Sequence, residues 1–230
     1  MKKVWLMGGF GNVLFQILAF NVLSKKNKEV FFVKKITEKN FITNVLGWTI
    51  HQKLYEDLIK EEQFIEVKTF KASIIVLISF MSKILKRKNS ISTFYSKSVQ
   101  LEKNVSVNIF GYFQNHSFLN ENKNEVLKLG EKLRNNYSAS QTPIVVHYRK
   151  GDSSWAIKFS NYYGQVRKLL EKESLSILIV TDSIEDAREF FKSIERKKII
   201  SSSNALEDFK YLVSANKLYC APSTFSWWAA

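Results

Sequence analysis

Cysteine is nearly absent from this chain of 230 residues, in which Cys220 is the one example. An internal disulfide framework is therefore excluded, and the composition fits a reducing compartment. The longest apolar run, Ala72–Met81, falls far short of the roughly 20 residues that cross a bilayer. The apolar run near the amino terminus stops at Gly8, so we expect no secretion signal and a cytoplasmic protein.

Clusters of metal ligands are also missing from the sequence. The five aspartates include no Asp-x-Asp pair, and the three histidines are far apart in the chain. This pattern disfavours a bound metal, and no nucleophile-elbow motif presents a serine. We therefore expect chemistry without metal or cofactor, in which cationic side chains and backbone amides stabilise charge.

Positive charge is what the chain has in excess, with a formal net charge of +14 and an apolar content of 45%. The apolar content indicates a folded protein of one large domain or two small ones. The charge favours an anionic partner: a nucleic acid, an anionic membrane surface or a phosphorylated substrate. A generally lysine-rich proteome would produce the same balance without any such partner.

Basic residues also flank the Ala72–Met81 run on both sides. They are Lys68, Lys71, Lys83, Lys86, Arg87 and Lys88. An apolar stretch with such flanks can lie on an anionic membrane surface, which makes Lys71–Lys88 the candidate for peripheral contact with the inner face of a membrane. The alternative is a buried helix or strand followed by solvated lysines.

The amino-terminal region predicts a β-loop-α-β unit, the start of a parallel sheet. Residues 2–7 are typical of a strand, GGFGN of a turn, and 29–33 of a second strand. The helix between them has an apolar stripe formed by Leu14, Ile17, Leu18 and Leu23. Residues 34–110 predict no clear element.

The carboxy-terminal region predicts four β-α units in series, and hence a Rossmann-like domain. The predicted strands cover 142–149, 175–181, 198–202 and 217–220. Asp182 or Ser183 is expected to cap the second helix, and PSTFSWW to lead into the fourth, with Trp227 and Trp228 in the core. The chain stops as that last helix begins, so we expect a truncated carboxy-terminal end.

The segment VVHYRKGDSSW contains the clearest candidate site. His147 and Arg149 alternate with apolar strand residues, so both leave the predicted strand on one face. Ligands bind beyond the carboxyl ends of the strands in open α/β sheets, and an arginine there is suited to phosphate oxygens. The segment therefore indicates a nucleotide-type ligand with exposed phosphates.

Two other segments offer donors to an anion. Gly9, Gly11 and Asn12 lie at a strand-to-helix turn, where glycines let a ligand approach the backbone, although a tight turn without a ligand has the same pattern. The turn is neither a P-loop nor a complete dinucleotide fingerprint. In STFSWW, the hydroxyls of Ser223, Thr224 and Ser226 and nearby amides can hold a phosphate, or simply cap a helix.

Five ordered blocks resemble the alpha-1,2-fucosyltransferase family of glycosyltransferases. They are GGFGNVLFQ, GYFQN at 111–115, HYRKGD at 147–152, the TD pair at 181–182, and EDFKYLVSANKLYCAPSTFSWWAA at the end. The resemblance spans nearly the whole chain. Departures from the family pattern occur at Val13, Lys150, Ser153, Ser183 and Pro222.

The resemblance implies a GT-B-like α/β architecture, with two Rossmann-like domains facing across a cleft. We expect residues 1–140 to form the domain on the acceptor side and 141–230 the domain on the donor side. The donor would be GDP-L-fucose, used without a metal or cofactor. The family joins fucose to the 2-hydroxyl of a galactoside with inversion, so the partner would be a galactose-containing glycan of unidentified type.

The resemblance also implies roles for the candidate residues. Arg149 would neutralise the departing GDP, while Ser223, Thr224, Ser226 and Asn12 complete a phosphate cradle. Asp152 is a candidate general base, or a residue that caps the turn or holds Arg149. His147 would contact the nucleotide or satisfy a backbone carbonyl, and Asp208 would bind guanine N–H groups or remain a helix-surface acid.

A different class of function accounts for the charge alone. A basic module that binds nucleic acid or a membrane surface would need no His-x-Arg geometry, and its binding would depend steeply on salt. The family resemblance favours the enzyme and disfavours nucleic acid as a partner.

Overall fold

The computed structural model of the chain describes residues 1–6, 8–25, 29–33, 58–59, 61–65, 74–75, 77–78, 81, 92–95, 108–138, 140–150, 160–202 and 204–230. These residues belong to two compact units, Met1–Leu129 and Gly130–Ala230. Each unit has a parallel sheet of its own.

The first unit has a five-stranded sheet in the order β3-β2-β1-β5-β4, and every strand pair in it is parallel. The strands are β1 (Lys2–Trp5), β2 (Val30–Val33), β3 (Phe64–Ile65), β4 (Ser92–Tyr95) and β5 (Asn108–Gly111). A 3₁₀ turn, Glu61–Gln63, precedes β3. The predicted β-loop-α-β unit is confirmed, and the three later strands lie in the region where the sequence predicted no element.

Helix α1 (Phe10–Ser24) follows β1 and begins inside the predicted GGFGN turn, so Gly11 and Asn12 belong to its first turn. Leu14, Ile17, Leu18 and Leu23 are buried as expected. The helix is buried on nearly every side, with even the amide of Gln16 inaccessible, so the apolar face is wider than the predicted stripe. Two further helices, α2 (His116–Glu121) and α3 (Lys123–Tyr137), follow β5.

The second unit has a four-stranded sheet in the order β8-β7-β6-β9, again with parallel pairs. Its strands are β6 (Thr142–Tyr148), β7 (Ile177–Thr181), β8 (Lys197–Ile200) and β9 (Ala215–Tyr219). Its helices are α4 (Ser160–Leu170), α5 (Ile184–Phe190), α6 (Ala205–Val213) and α7 (Thr224–Ala229). The four predicted β-α units are therefore confirmed.

Strand β6 is buried on both faces, as expected for the centre of a parallel sheet. Ile144, Val146 and Tyr148 pack on one face against a core that includes Tyr163 of α4 and Phe191 after α5. His147 lies on the opposite face, where its ring is 5.6 Å from that of Phe225 in α7. The alternation of the strand thus separates an apolar core from a face that carries polar side chains.

The tryptophans of α7 do not share one environment. Trp228 is buried, but Trp227 is 45% exposed, so its predicted place in the core is wrong. Neighbouring residues on a helix differ in direction by about 100°, and a helix of this length on one sheet face buries only one of them. Ser183 takes the N-cap position of α5, although its side chain makes no capping hydrogen bond. No helix in the described part of the chain is both long and apolar enough to span a membrane.

Candidate functional site

Arg149 follows β6 at its carboxyl end, where Tyr163 fixes the backbone. The Tyr163 hydroxyl accepts a hydrogen bond from Arg149 N and donates one to the His147 carbonyl, both at 3.2 Å. Burial raises the pKa of Tyr163 to about 12, so the hydroxyl keeps the proton it donates. Arg149 Nε lies 3.8 Å from Asp182 Oδ2, and the two side chains are 39% and 38% exposed. The guanidinium is thus oriented at the strand end while remaining accessible.

Two aspartates that follow β7 hold the residues that follow β6. Asp182 Oδ1 accepts a hydrogen bond of 2.9 Å from Lys150 N. Lys150 Nζ donates to Asp186 Oδ1, and Ser183 Oγ donates to Asp186 Oδ2 at 2.6 Å. The hydrogen bond from Lys150 lowers the pKa of Asp186. The sequence did not assign these carboxylates to the site, although the adjacent strand ends and the quoted TD pair were available signals.

His147 and Ser226 connect β6 to the loop between β9 and α7. The Nδ1 of His147 and the hydroxyl of Ser226 form a buried hydrogen bond. The same hydroxyl accepts from Ala221 N at 3.1 Å, and Ser226 N donates to Ser223 Oγ at 3.2 Å. Burial lowers the pKa of His147 to about 4, and the nearby Arg149 charge acts in the same direction. The imidazole is therefore neutral at pH 7 and holds this loop.

The remaining predicted donors of this unit lie around that loop. Ser223 and Thr224 are partly exposed, whereas Ser226 is fully buried, so in this structure its hydroxyl supports the loop. Asp208, near the start of α6, is half-buried and accepts a hydrogen bond of 3.2 Å from Ser202 N. Burial raises the pKa of Asp208, and the Asp182 charge contributes in the same direction. The charges of Arg149 and Asp182 thus act on His147, and the charge of Asp182 also acts on Asp208. The ligand roles of the predicted residues stay predictions.

In the first unit, the glycine turn joins β1 to α1 beside β5. Gly8 has a φ of +81°, and a Cβ there would lie 2.6 Å from Asn12 Nδ2. Asn12 Oδ1 accepts a hydrogen bond of 2.8 Å from Gln114 Nε2. Gly9, the N-cap of α1, has open space where a Cβ would be, while Gly11 is buried. Gln114, which follows β5, is a further polar residue beside this turn that the sequence reasoning did not single out, although its GYFQN block was recognised.

Two predictions concern what the described residues do not contain. Asp152, the candidate general base, lies outside them, as do the basic residues that flank the Ala72–Met81 run. Among the residues that are described, no group of three or more His, Cys, Asp or Glu side chains could hold a metal ion. Metal independence stays a prediction.

Known structures provide a comparison for this arrangement. The chain matches no protein-family model and no curated protein sequence. It is similar in structure to heptosyltransferase WaaC from E. coli with ADP-2-deoxy-2-fluoro heptose, with a TM-score of 0.51, 9% sequence identity, and coverage of 100% of this chain and 86% of that one. Fucosyltransferase NodZ from Bradyrhizobium has a TM-score of 0.48 and 11% identity, with coverage of 99% and 91%.

The likeness to WaaC shows a shared fold and nothing finer, because the identity is so low. The TM-score of NodZ is too low to add to it. The protein has an α/β fold of the GT-B type, with two Rossmann-like units built on parallel sheets. The predicted fold class is confirmed in these terms.

Proposed function

We propose that this chain is a glycosyltransferase that moves L-fucose from GDP-L-fucose to the 2-hydroxyl of a galactoside with inversion. The observation that carries the proposal is the place of Arg149. It follows β6, at the point where the strand order of the second sheet reverses between β6 and β9, which is where open α/β sheets bind ligands. The GT-B fold and the five ordered sequence blocks support the same function.

Inversion requires one displacement at the anomeric carbon. The 2-hydroxyl oxygen of the acceptor bonds to that carbon while its bond to the β-phosphate oxygen breaks and GDP leaves with the electron pair. The hydroxyl proton passes to a general base, for which Asp152 is the proposed residue. Negative charge therefore grows on the phosphate in the transition state, and stabilising that charge is what accelerates the reaction.

Arg149 is suited to this task because its planar guanidinium can donate two hydrogen bonds to phosphate oxygens. Tyr163 and Asp182 hold the backbone and the side chain in place before a ligand arrives, and a preorganised donor of this kind typically contributes about 10²–10³ in rate. We assign Ser223 and Thr224 as further phosphate donors. His147 and Ser226 act as positioning residues for the loop that presents Ser223.

Asp208 is the proposed partner of the guanine base. A carboxylate can accept from two adjacent N–H donors, and guanine presents two of them side by side. Asp208 lies in the neighbourhood of Asp182 and is only half-buried, so a base could reach it. This assignment predicts that the protein prefers a guanine nucleotide.

Calorimetry with GDP, UDP and CMP tests the donor. We expect GDP to bind more tightly than either pyrimidine nucleotide, and tighter binding of UDP would contradict the proposal. Transfer of radiolabelled fucose from GDP-L-fucose to a galactose-terminated oligosaccharide tests the reaction. The matched control is the same oligosaccharide with a 2-deoxygalactose terminus, which should receive no label; equal labelling of the two acceptors would exclude the 2-hydroxyl as the nucleophile.

A further inference from the structure

Two consecutive basic residues, Arg149 and Lys150, follow β6, and their contacts differ. Arg149 Nε lies 3.8 Å from Asp182 Oδ2, which is longer than a hydrogen bond. Lys150 is hydrogen-bonded at both ends. Its backbone N donates to Asp182 Oδ1 at 2.9 Å, and its Nζ donates to Oδ1 of Asp186 in the first turn of α5. The lysine side chain is therefore held by α5, while the arginine side chain is only loosely paired.

Asp186 joins the segments that follow two neighbouring strands. Its Oδ2 accepts a hydrogen bond of 2.6 Å from Ser183 Oγ, and Ser183 N donates to Thr181 Oγ1 at 3.0 Å. Tyr148 is registered with Thr181 in the pairing of β6 and β7, so the residues after the two strands start side by side. The hydrogen bonds from Lys150 and Ser183 lower the pKa of Asp186, and the carboxylate therefore stays charged.

The two residues that donate to Asp186 are also unusual in the sequence. Lys150 and Ser183 are two of the five positions at which the chain departs from the family pattern that it resembles. They lie 33 positions apart in the chain and share one partner in the structure. A shared partner links the two departures and indicates that this chain uses Asp186 in its own way.

We propose that Lys150 is a positioning residue and not a phosphate ligand, and that Asp186 is the anchor through which it fixes the backbone of Arg149. The role of Arg149 itself rests on the proposed function. The sheet holds the residue before Arg149, and the bonds of Lys150 hold the residue after it. The guanidinium therefore leaves a backbone that is fixed on both sides. Such precision matters because a displacement of about 1 Å can cost about 10²-fold in rate.

Amide hydrogen exchange in the free protein, measured by NMR, tests the anchor without any ligand. D186N and K150M should each lower the protection of the amides at positions 149 and 150 by about fivefold, the upper range for an exposed ion pair. The amide of Val146, inside β6, should keep its protection. K150R should resemble the wild type, because a guanidinium can still donate to Asp186. Unchanged protection in both D186N and K150M would overturn the proposal.

Fucosyl transfer by the same variants tests the consequence for Arg149. K150M and D186N should each lower kcat about tenfold with little change in KM, and the double variant should be no worse than either single one. K150R should restore kcat. If Lys150 were a phosphate ligand restrained by Asp186, D186N would release it and GDP would bind more tightly in calorimetry; that result would overturn the proposal.

The matched control is the exposed pair of Lys192 and Glu189 at the end of α5, in which Nζ and Oε1 are 2.7 Å apart. K192M and E189Q should leave both the exchange at position 149 and kcat unchanged, and an equal loss in these variants would overturn the proposal. A wild-type protein that transfers no fucose would contradict the proposed function. The exchange measurements would still decide whether Asp186 anchors Lys150, because they need neither donor nor acceptor.

Discussion

Both units place polar groups at the point where the strand order of their sheet reverses, but the groups differ in charge and residue type. In each sheet the strand order reverses beside a central strand, at β1 and β5 in the first unit and at β6 and β9 in the second. A side-chain hydrogen bond links the two segments at each point. In the first unit it joins two neutral amides, Asn12 and Gln114; in the second it joins His147 and Ser226, with Arg149 close by.

The comparison shows that one backbone architecture carries two different sets of polar groups. The turn GGFGN of the first unit has no charged side chain and offers backbone N–H groups and an amide. The second unit places an arginine beside the carboxylate of Asp182, with which it forms an ion pair. Arg149, the proposed partner of the departing phosphate, belongs to the second unit, whereas the turn of the first unit offers only uncharged donors.

The largest expected effect follows from replacing the guanidinium of Arg149 in the second unit. Arg149→Lys should lower kcat for fucosyl transfer about a hundredfold, because lysine keeps the charge but cannot donate two parallel hydrogen bonds. The loss should appear mainly in kcat, since the charge develops as GDP leaves. Rates of radiolabelled transfer at saturating donor provide the measurement.

The matched control for this change is Arg188→Lys. Arg188 belongs to the same unit but is exposed on α5 and paired with Glu185 at 2.8 Å. Its replacement should leave kcat unchanged. If the Arg149 variant kept more than about half of the wild-type kcat, well inside the losses such donors show, its assigned role would be wrong.

The neutral imidazole of the second unit should make stability depend on pH. Burial lowers the pKa of His147 to about 4 from its ordinary value near 6.5. The unfolded chain therefore binds more protons between these values, and stability that is present above pH 6.5 is lost as the pH falls toward 4. A shift of this size corresponds to about 3 kcal/mol in the free energy of unfolding.

Urea unfolding of the wild type and of His147→Asn, from pH 7 down to 4.5, measures this contribution. The variant has no group to titrate at this position, so the stability difference between the two proteins should shrink as the pH falls. Carboxylates elsewhere affect both proteins alike and cancel in the comparison. Parallel pH profiles would show that His147 does not carry the expected dependence.

The sequence could predict the position of Arg149 because that position follows from local rules. An apolar run with a polar residue at alternate positions predicts a strand, and the parallel β-α order fixes which strand ends share an edge. The four carboxy-terminal units and the first β-α-β unit were predictable for the same reason. Strands β3, β4 and β5 were not, because strands of two to four residues are too short to show hydrophobic periodicity.

The partners of the candidate residues could not be predicted, because they depend on tertiary packing. His147 bonds to Ser226, which is 79 positions away along the chain, and Lys150 to Asp186, which is 36 positions away. Nothing local distinguishes these partners from other serines and aspartates. The exposure of Trp227 is similar, since the pair of tryptophans gives no sign of which one faces the sheet.

The smallest expected effect concerns the uncharged turn of the first unit. Gly8 has a φ of +81°, which a residue with a side chain adopts only at a cost. An added Cβ would also lie 2.6 Å from Asn12 Nδ2 and 3.2 Å from Tyr112 Cε1. Gly8→Ala should therefore displace Asn12, break its hydrogen bond with Gln114, and lower the free energy of unfolding by about 1–2 kcal/mol.

Gly9→Ala is the matched control, one residue further along the same turn. Gly9 has a φ of −73°, and no atom lies within 4 Å of the position its Cβ would take. Its replacement should change stability by no more than about 0.5 kcal/mol. Urea unfolding of both variants, followed by tryptophan fluorescence, measures the difference. Equal stabilities would mean that the positive φ of Gly8 and the close approach of Asn12 do not require glycine at this position.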